Sequence, residues 1–308
     1  MIVVFGSLNT DMVMQVEKMP RPGETVLCPS YQMIAGGKGA NQAVAAARVG
    51  TSVKLFGKVG DDEFGRTVLS SLRASNVDLT GVGISKESST GCAAIAVDIH
   101  GENMITVASG ANFSAQEKEI PDFLLAKGTT LLLQMETPAQ ENWKLIHRAK
   151  KFGAKIILNL APAHDIPQDI LQSLDILVMN QIEANLLGLY LGFEVISPIV
   201  VARRIAANYG ITCIVTLGKQ GAMACSPEGS WEVKAMEVEA VDTTAAGDAF
   251  VGVFAASIEK GMDLPTALRH ASVASGLSCL SKGAQTSLPT NQRIEANLQK
   301  VAPPRRSV

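Results

Sequence analysis

Asp242-Thr243-Thr244-Ala245-Ala246-Gly247-Asp248-Ala249-Phe250 is the stretch from which the rest of the chain can be read. Two carboxylates bracket a threonine pair and three small residues. The chain then enters Val251-Gly252-Val253-Phe254-Ala255-Ala256-Ser257-Ile258, an apolar run that predicts a buried helix. Ala245, Ala246 and Gly247 therefore fall at a helix N-terminus, where backbone N–H groups lack internal partners and the dipole adds partial positive charge. Such a terminus accepts a phosphate or another anion. Asp248 would repel that ligand. Its presence has two readings: a general base acting on a hydroxyl nucleophile, or a first-turn residue favoured by the dipole.

Two hundred residues earlier, Ala35-Gly36-Gly37-Lys38-Gly39-Ala40-Asn41-Gln42 opens a second predicted helix, from Ala43 to Val49, that stops at Gly50. Its glycines around one lysine form a loop that tolerates an anion or a polyol. The spacing and the Lys-Ser/Thr ending of a Walker A loop are absent. Asn41 can both donate and accept, which suits sugar hydroxyls.

Between and after these stretches the chain alternates short apolar runs with helical patterns. Ile2–Phe5, Val53–Val59, Leu131–Leu133, Lys155–Leu158, Ile176–Met179 and Cys213–Val215 read as strands buried on both faces. This βα alternation predicts a parallel sheet with right-handed crossovers. Asn9, Glu136, Asn159, Asn180 and Thr216 each follow such a strand and would gather along one sheet edge, where open α/β sheets bind ligands. Two hairpin-like pairs interrupt the pattern. One spans Met12 to Met33, with its second strand expected from Thr25. The other spans Gly91 to Val107, with His100-Gly101-Glu102 at its tip. Ser114-Ala115-Gln116-Glu117 reads as a capping box opening a helix. Asp61-Asp62-Glu63 reads as a solvated helix start, with a metal site as the alternative. Ser281 to Ser287 is a polar loop, either a plain turn or a holder for a monovalent cation. The tail around Pro303-Pro304-Arg305-Arg306 is expected to fray.

Composition narrows the function classes. The 308 residues carry a net charge of −2, are 47% hydrophobic and only 5% aromatic. There is no basic block for nucleic acid and no aromatic platform for bases. Apolar runs break before the length of a membrane span. Five scattered cysteines without a CxxC pair fit a reducing, cytoplasmic setting.

From Gly6-Ser7-Leu8-Asn9-Thr10-Asp11, through Gly36-Gly37-Lys38-Gly39-Ala40-Asn41-Gln42-Ala43 and the Asp242–Asp248 stretch, to Lys282-Gly283-Ala284-Gln285, the chain resembles the phosphofructokinase-B carbohydrate kinase family nearly end to end. The resemblance implies a single ribokinase-like α/β domain over 1–308. It would have three layers, α/β/α, a mostly parallel central sheet and a small β-sheet lid formed by insertions at about 11–34 and 90–108. It implies ATP-dependent phosphorylation of a pentose primary hydroxyl, D-ribose first, with ATP, Mg²⁺ and K⁺, and a homodimer made through the lid. Asn9, Asp11, Gly37, Lys38, Asn41 and Glu136 would bind the sugar. Asp248 would be the base, and the N–H groups of Ala245, Ala246 and Gly247 would meet the phosphoryl group. Asn180, Glu183, Thr216, Gly218, Gly221 and Gly247 would lie on the nucleotide side, Glu183 also serving Mg²⁺ through water. Asp242, Thr244, Ser278, Ser281, Gly283 and Ser287 match positions around potassium. Departures are Gln181 within Asn180-Gln181-Ile182-Glu183, Ser272 where some relatives carry histidine, and small lid residues at Ala94 and Ala96, which bear on the choice of sugar.

The same residues leave rivals to weigh. One is a kinase of deoxyribose, fructose, a sugar acid or a nucleoside. Another is a sugar-binding regulator without turnover, against which Asp248 and Gly247 speak. A dinucleotide dehydrogenase is disfavoured because the first turn lacks GxGxxG.

Overall fold

In the computed structural model, which describes residues 1–100, 102–194 and 197–307, the apolar runs pair as a sheet with helices on both sides. Gly101, expected at a hairpin tip, and Val308 lie outside the described residues. The strands are β1 (Ile2–Phe5), β2 (Asn9–Gln15), β3 (Tyr31–Gly36), β4 (Val53–Gly60), β5 (Asp78–Ser85), β6 (Gly91–Val97) and β7 (Asn103–Ala108). They continue with β8 (Thr130–Leu133), β9 (Lys155–Asn159), β10 (Ile176–Asn180), β11 (Thr212–Thr216), β12 (Ala222–Ser226), β13 (Gly229–Val233) and β14 (Arg305–Ser307). The helices are α1 (Lys38–Arg48), α2 (Glu63–Ala74), α3 (Ala139–Phe152), α4 (Gln168–Ser173) and α5 (Gln181–Tyr190). After them come α6 (Pro198–Tyr209), α7 (Ala246–Glu259), α8 (Leu264–Ser278), α9 (Ala284–Ser287) and α10 (Asn291–Glu295).

The large sheet has the order β14-β13-β12-β11-β10-β9-β8-β1-β4-β5. It is parallel from β11 to β5, with β12, β13 and β14 added antiparallel at one edge. Alternation along β1 explains the layers. Ile2 and Val4 pack among residues of α1, α2, α7 and α8, whereas Val3 and Phe5 pack among those of α3, α5 and α6. From β1 the chain proceeds outward through β4 and β5, then restarts at β8 on the other side. The order therefore reverses between β1 and β8, and a crevice opens beyond their carboxyl ends.

A separate four-stranded sheet, β3-β2-β6-β7, stands on this edge. It is two antiparallel hairpins joined by a parallel β2–β6 pairing.

Four local expectations change. The second strand of the first hairpin begins at Tyr31, not Thr25, because Pro29, which cannot donate to a ladder, interrupts the run and Thr25 to Ser30 stay outside the sheet. The capping box lies at Gln116 and Glu119 and opens a single 3₁₀ turn, since Pro121 follows too soon for a helix. Asp78–Ser85, not anticipated as a strand, pairs with β4 at the sheet edge, where its exposed alternate residues hide the apolar signal. The tail does not fray at Arg305 and Arg306, which extend the opposite edge against β13.

Candidate active site

Helices α1 and α7 cross closely over the crevice. A Cβ on Gly252 would lie 2.5 Å from the Gln42 carbonyl oxygen and 2.6 Å from the Ala45 Cβ, so only glycine permits this approach. The crossing brings the start of α1 to the first turn of α7. Asn41 Nδ2 donates to Asp248 Oδ2 at 2.9 Å, and Gln42 Nε2 donates to Asp248 Oδ1 at 2.9 Å. Asp248 is buried, and each of its oxygens is held by a neutral amide. The buried Asn41 Oδ1 has no protein partner, leaving an acceptor for a ligand hydroxyl.

Two acidic side chains complete this wall. Asp11, on β2, lies against Gly36, where a Cβ would sit 2.2 Å from its Oδ2. Gly37 has φ +89°, a left-handed conformation that turns the chain into α1 beside the backbone of Asn9. Glu136 follows β8. Its Oε2 accepts from Ser7 Oγ at 2.5 Å and from the Lys38 N–H at 3.2 Å, which ties the ends of β1 and β8 to the start of α1. Asn9 Oδ1 accepts from Asn112 Nδ2 at 2.7 Å, while Asn112 Oδ1 accepts from the Leu8 N–H at 2.9 Å.

Electrostatics follow from this crowding. Burial, then the charges of Glu136 and Asp248, push Asp11 up to about 7, against the pull of Lys38. Burial also raises Asp248, opposed by Lys38 and by the amides of Asn41 and Gln42. Burial alone would lower Lys38, but Asp248, Glu136, Glu183 and Asp11 together leave it above its ordinary value. Lys38 remains a cation among carboxylates, and no ion pair within 4.0 Å involves it among the described residues.

At the start of α7 the Ala246 N–H donates to Thr243 O at 3.2 Å, a turn bond that occupies one of the three amides expected to meet a phosphoryl group. Above Gly247 a Cβ would meet no protein atom within 4 Å, so packing does not require glycine there. Asn180 and Glu183 cap α5 reciprocally: the Asn180 N–H donates to Glu183 Oε2 at 2.7 Å and the Glu183 N–H to Asn180 Oδ1 at 2.9 Å. Glu183 is raised by burial, against its bond to Asn180 and the charge of Lys38. Thr216 ends β11 beside β10, and Gly218 and Gly221, with φ of +57° and +105°, shape the turn after it.

Of the potassium-matching residues, Asp242, Thr244 and Gly283 form one hydrogen-bonded unit. Asp242 Oδ1 accepts from the Thr244 N–H at 2.9 Å and its hydroxyl at 2.5 Å, and Oδ2 accepts from the Gly283 N–H at 2.9 Å. Burial works against the Asp242 charge, yet these bonds hold its carboxyl below the ordinary value. The Ser278 and Ser287 hydroxyls donate to the carbonyls of Ser275 and Ala284. Ser281 is exposed at the loop's start. Oxygen-only donors around a fixed anion suit an alkali cation. Among the described residues, no three His, Cys, Asp or Glu side chains converge as a metal site, Asp61-Asp62-Glu63 included. Asp62 instead caps α2, accepting from the Gly65 N–H at 2.8 Å.

The register of the small sheet corrects one expectation about selectivity. Asp11 pairs with Ala93, and Val13 with Ile95, so Ala93 and Ile95 share the Asp11 face. Ala94 and Ala96 pair with Met12 and Met14 on the opposite face, away from Asp11. Gln42, Gln134 and Asn112 are not among the expected site residues, whereas Asn159 is expected only as one of the strand-end residues along the ligand edge. Gln42 lay inside the glycine-loop motif, and Asn159 had its strand-end position as a signal; Asn112 had none nearby. A cavity of about 800 Å³ lies between α6 and the β12–β14 edge, beside the turn after β11, with Arg203, Leu217, Lys219, Gln220 and Lys234 in its walls. It contains none of the residues described around Asp248, whose chemistry marks the crevice as the better candidate.

Comparisons with known proteins bear on the chain as a whole. The model of the pfkB family carbohydrate kinases matches residues 1–291. A ribokinase of Haemophilus influenzae is 37% identical over 296 residues, covering 94% of this chain and 96% of the relative. A deoxyribokinase of Salmonella typhi is 33% identical, with 96% and 98% covered. Among solved structures, a ribokinase of Thermotoga maritima superposes with a TM-score of 0.89 at 32% identity, covering 97% of this chain and 99% of that one. An Arabidopsis thaliana ribokinase complexed with ribose and ATP gives 0.87 at 30% identity, with 97% and 98% covered.

Proposed function

The chain belongs to the pfkB family of carbohydrate kinases, and from that premise we propose that it transfers the γ-phosphoryl group of ATP to the primary hydroxyl of D-ribose, giving ribose 5-phosphate. The observation that carries the reading is Asp248, held by two amides at the N-terminus of α7 beside the open space over Gly247. Asn9, Asp11, Lys38, Asn41 and Glu136 grip the sugar hydroxyls and place the reacting oxygen at Asp248, which takes its proton. A raised carboxylate suits that step near neutral pH. The N–H groups of Ala245 and Gly247, with the α7 dipole, receive the developing charge, and Ala246 completes the small-residue turn. Lys38, among four carboxylates, adds charge between sugar and phosphate.

Asn180, Glu183, Thr216, Gly218 and Gly221 form the nucleotide side in this reading. When bound, Mg²⁺ neutralises phosphate charge, and Glu183 would hold it through water. Asp242, Thr244, Ser278, Ser281, Gly283 and Ser287 would hold K⁺ behind the α7 turn and keep that turn's shape. The small sheet acts as a lid that excludes water as a competing acceptor. The 1–308 stretch works as one domain. The lid's outer face carries the row Tyr31–Met14–Ala96–Met104, with Tyr31 and Met104 exposed, and pairing with a second copy covers it. All five cysteines are free, which suits the cytoplasm. Among the described residues no helix is long and apolar enough to cross a membrane.

The test is ADP release with MgATP over D-ribose, 2-deoxy-D-ribose, D-fructose and nucleosides, with and without K⁺. Turnover centred on ribose and strengthened by K⁺ is expected. The deoxyribokinase relative makes 2-deoxyribose the sugar to compare most closely. Turnover confined to nucleosides, or sugar binding without turnover, overturns the proposal.

A further inference from the structure

We infer that Gln42 is the positioning residue for Asp248: it fixes one carboxylate oxygen against the sheet so that the base faces the sugar hydroxyl in one orientation. This rests on the reading of Asp248 as the base.

Gln42 is fully buried on α1 and spends both amide hydrogens on oxygens. Nε2 donates to Asp248 Oδ1 at 2.9 Å and to Asn159 Oδ1 at 3.0 Å. Oε1 accepts from Gln134 Nε2 at 2.7 Å. A flipped amide would set Oε1 against two acceptors and Nε2 against a donor, so the neighbours dictate its orientation. Those neighbours are anchored in turn. Asn159 Nδ2 donates to the Val178 carbonyl on β10 at 3.2 Å. Gln134 sits at the end of β8, and Asn142 Nδ2 donates to its backbone carbonyl at 2.8 Å.

The relay therefore runs from the carboxyl ends of β8, β9 and β10 to one oxygen of the base. Its members are neutral amides, which can orient a carboxylate but neither take nor supply its proton. Asn41 holds the other oxygen, but its Oδ1 has no protein partner and is the atom proposed to accept from the sugar, so its removal would disturb sugar binding and base together. Gln42 has no spare donor for the sugar, and the two roles separate there. Gln134 Oε1, buried without a partner, lies where a Cβ on Gly6 would come within 2.0 Å. Glycine at position 6 thus makes room for the outer member of the relay.

The test replaces Gln42 with methionine, of similar length and without donors. The pH profile is read knowing that Asp248 is also faced by Lys38 from α1, Glu136 after β8, Asp11 from β2 and Glu183 from α5. For Gln42→Met, kcat should fall by about tenfold to a hundredfold, with sugar Kd by calorimetry within about twofold. The acid limb of kcat should move to higher pH, because the charged carboxylate has lost a donor. Gln134→Met keeps the contact to Asp248 and loosens only its clamp. It should give a smaller fall in kcat with the same Kd, and it serves as the test if Gln42→Met does not fold. Unchanged kcat in either folded variant, or a fall with no movement of the acid limb in Gln42→Met, overturns the inference. An Asp248→Asn enzyme that still turns over would instead sink the base assignment beneath it.

Discussion

Asn41 on α1 and Asp248 on α7 are 207 residues apart in sequence and joined by a 2.9 Å hydrogen bond between side chains. That bond links the glycine loop to the anion-accepting turn. It makes one site of two motifs that the chain keeps at its opposite ends.

Gly247 separates packing from chemistry. A Cβ there meets no protein atom within 4 Å, and the residue lies in the first turn of α7 without a left-handed φ. Gly247→Ala should therefore fold at least as stably, gaining up to about 1 kcal/mol from reduced unfolded-state freedom. The added methyl would occupy the phosphoryl position, so kcat should fall at least about tenfold. Thermal unfolding beside ADP release checks this. A variant less stable but fully active would contradict it.

If Asp11 holds the sugar as proposed, sugar binding should depend on pH. Burial and neighbouring carboxylates push the Asp11 carboxyl up to about 7, and protonation turns one of its two acceptor oxygens into a donor. Sugar affinity should weaken as pH falls through about 7, by roughly tenfold once Asp11 is protonated. The stability effect has the opposite sign. A folded-state value above the unfolded 3.8 means that the native state binds the proton more tightly, so folding loses stability as pH rises from about 4 to about 7. Asp11→Asn should accordingly raise Tm at pH 8 more than at pH 4 while weakening sugar binding at pH 8. Calorimetry and thermal melts across that range decide.

Much of this was legible because the two decisive segments are local. A run of small residues before an apolar helix, and glycines around Lys38, identify themselves by spacing. The central strands were legible because burial on both faces leaves unbroken apolar runs such as Leu131-Leu132-Leu133. The edge strands β5 and β14 escaped because half-exposed strands such as Asp78–Ser85 and Arg305–Ser307 carry polar residues, and their pairing is decided by a distant neighbour. Asn112 escaped for a related reason. Its role, bridging Leu8 and Asn9 from 104 and 103 residues away, exists only once the small sheet has docked. The misplacement of Ala94 and Ala96 is one of register, in which a single step along β6 exchanges the Asp11 face for the outer face.

That outer face makes a quaternary prediction. Tyr31 is 62% and Met104 52% exposed, at the two ends of a row that crosses all four strands. Met104→Glu should convert a dimer to monomers in analytical ultracentrifugation, since a carboxylate buried in an apolar contact is costly. A wild-type chain that sediments as a monomer at all concentrations would contradict the proposed pairing through the lid.

The most direct test of the central claim is Asp248→Asn, measured for D-ribose binding by calorimetry and for ADP release with MgATP and K⁺. Asparagine keeps the shape between Asn41 and Gln42 but cannot take a proton. The account predicts ribose affinity within a few-fold of wild type and kcat lower by at least about a hundredfold. Turnover near the wild-type rate would contradict it, because the hydroxyl would then be losing its proton without Asp248.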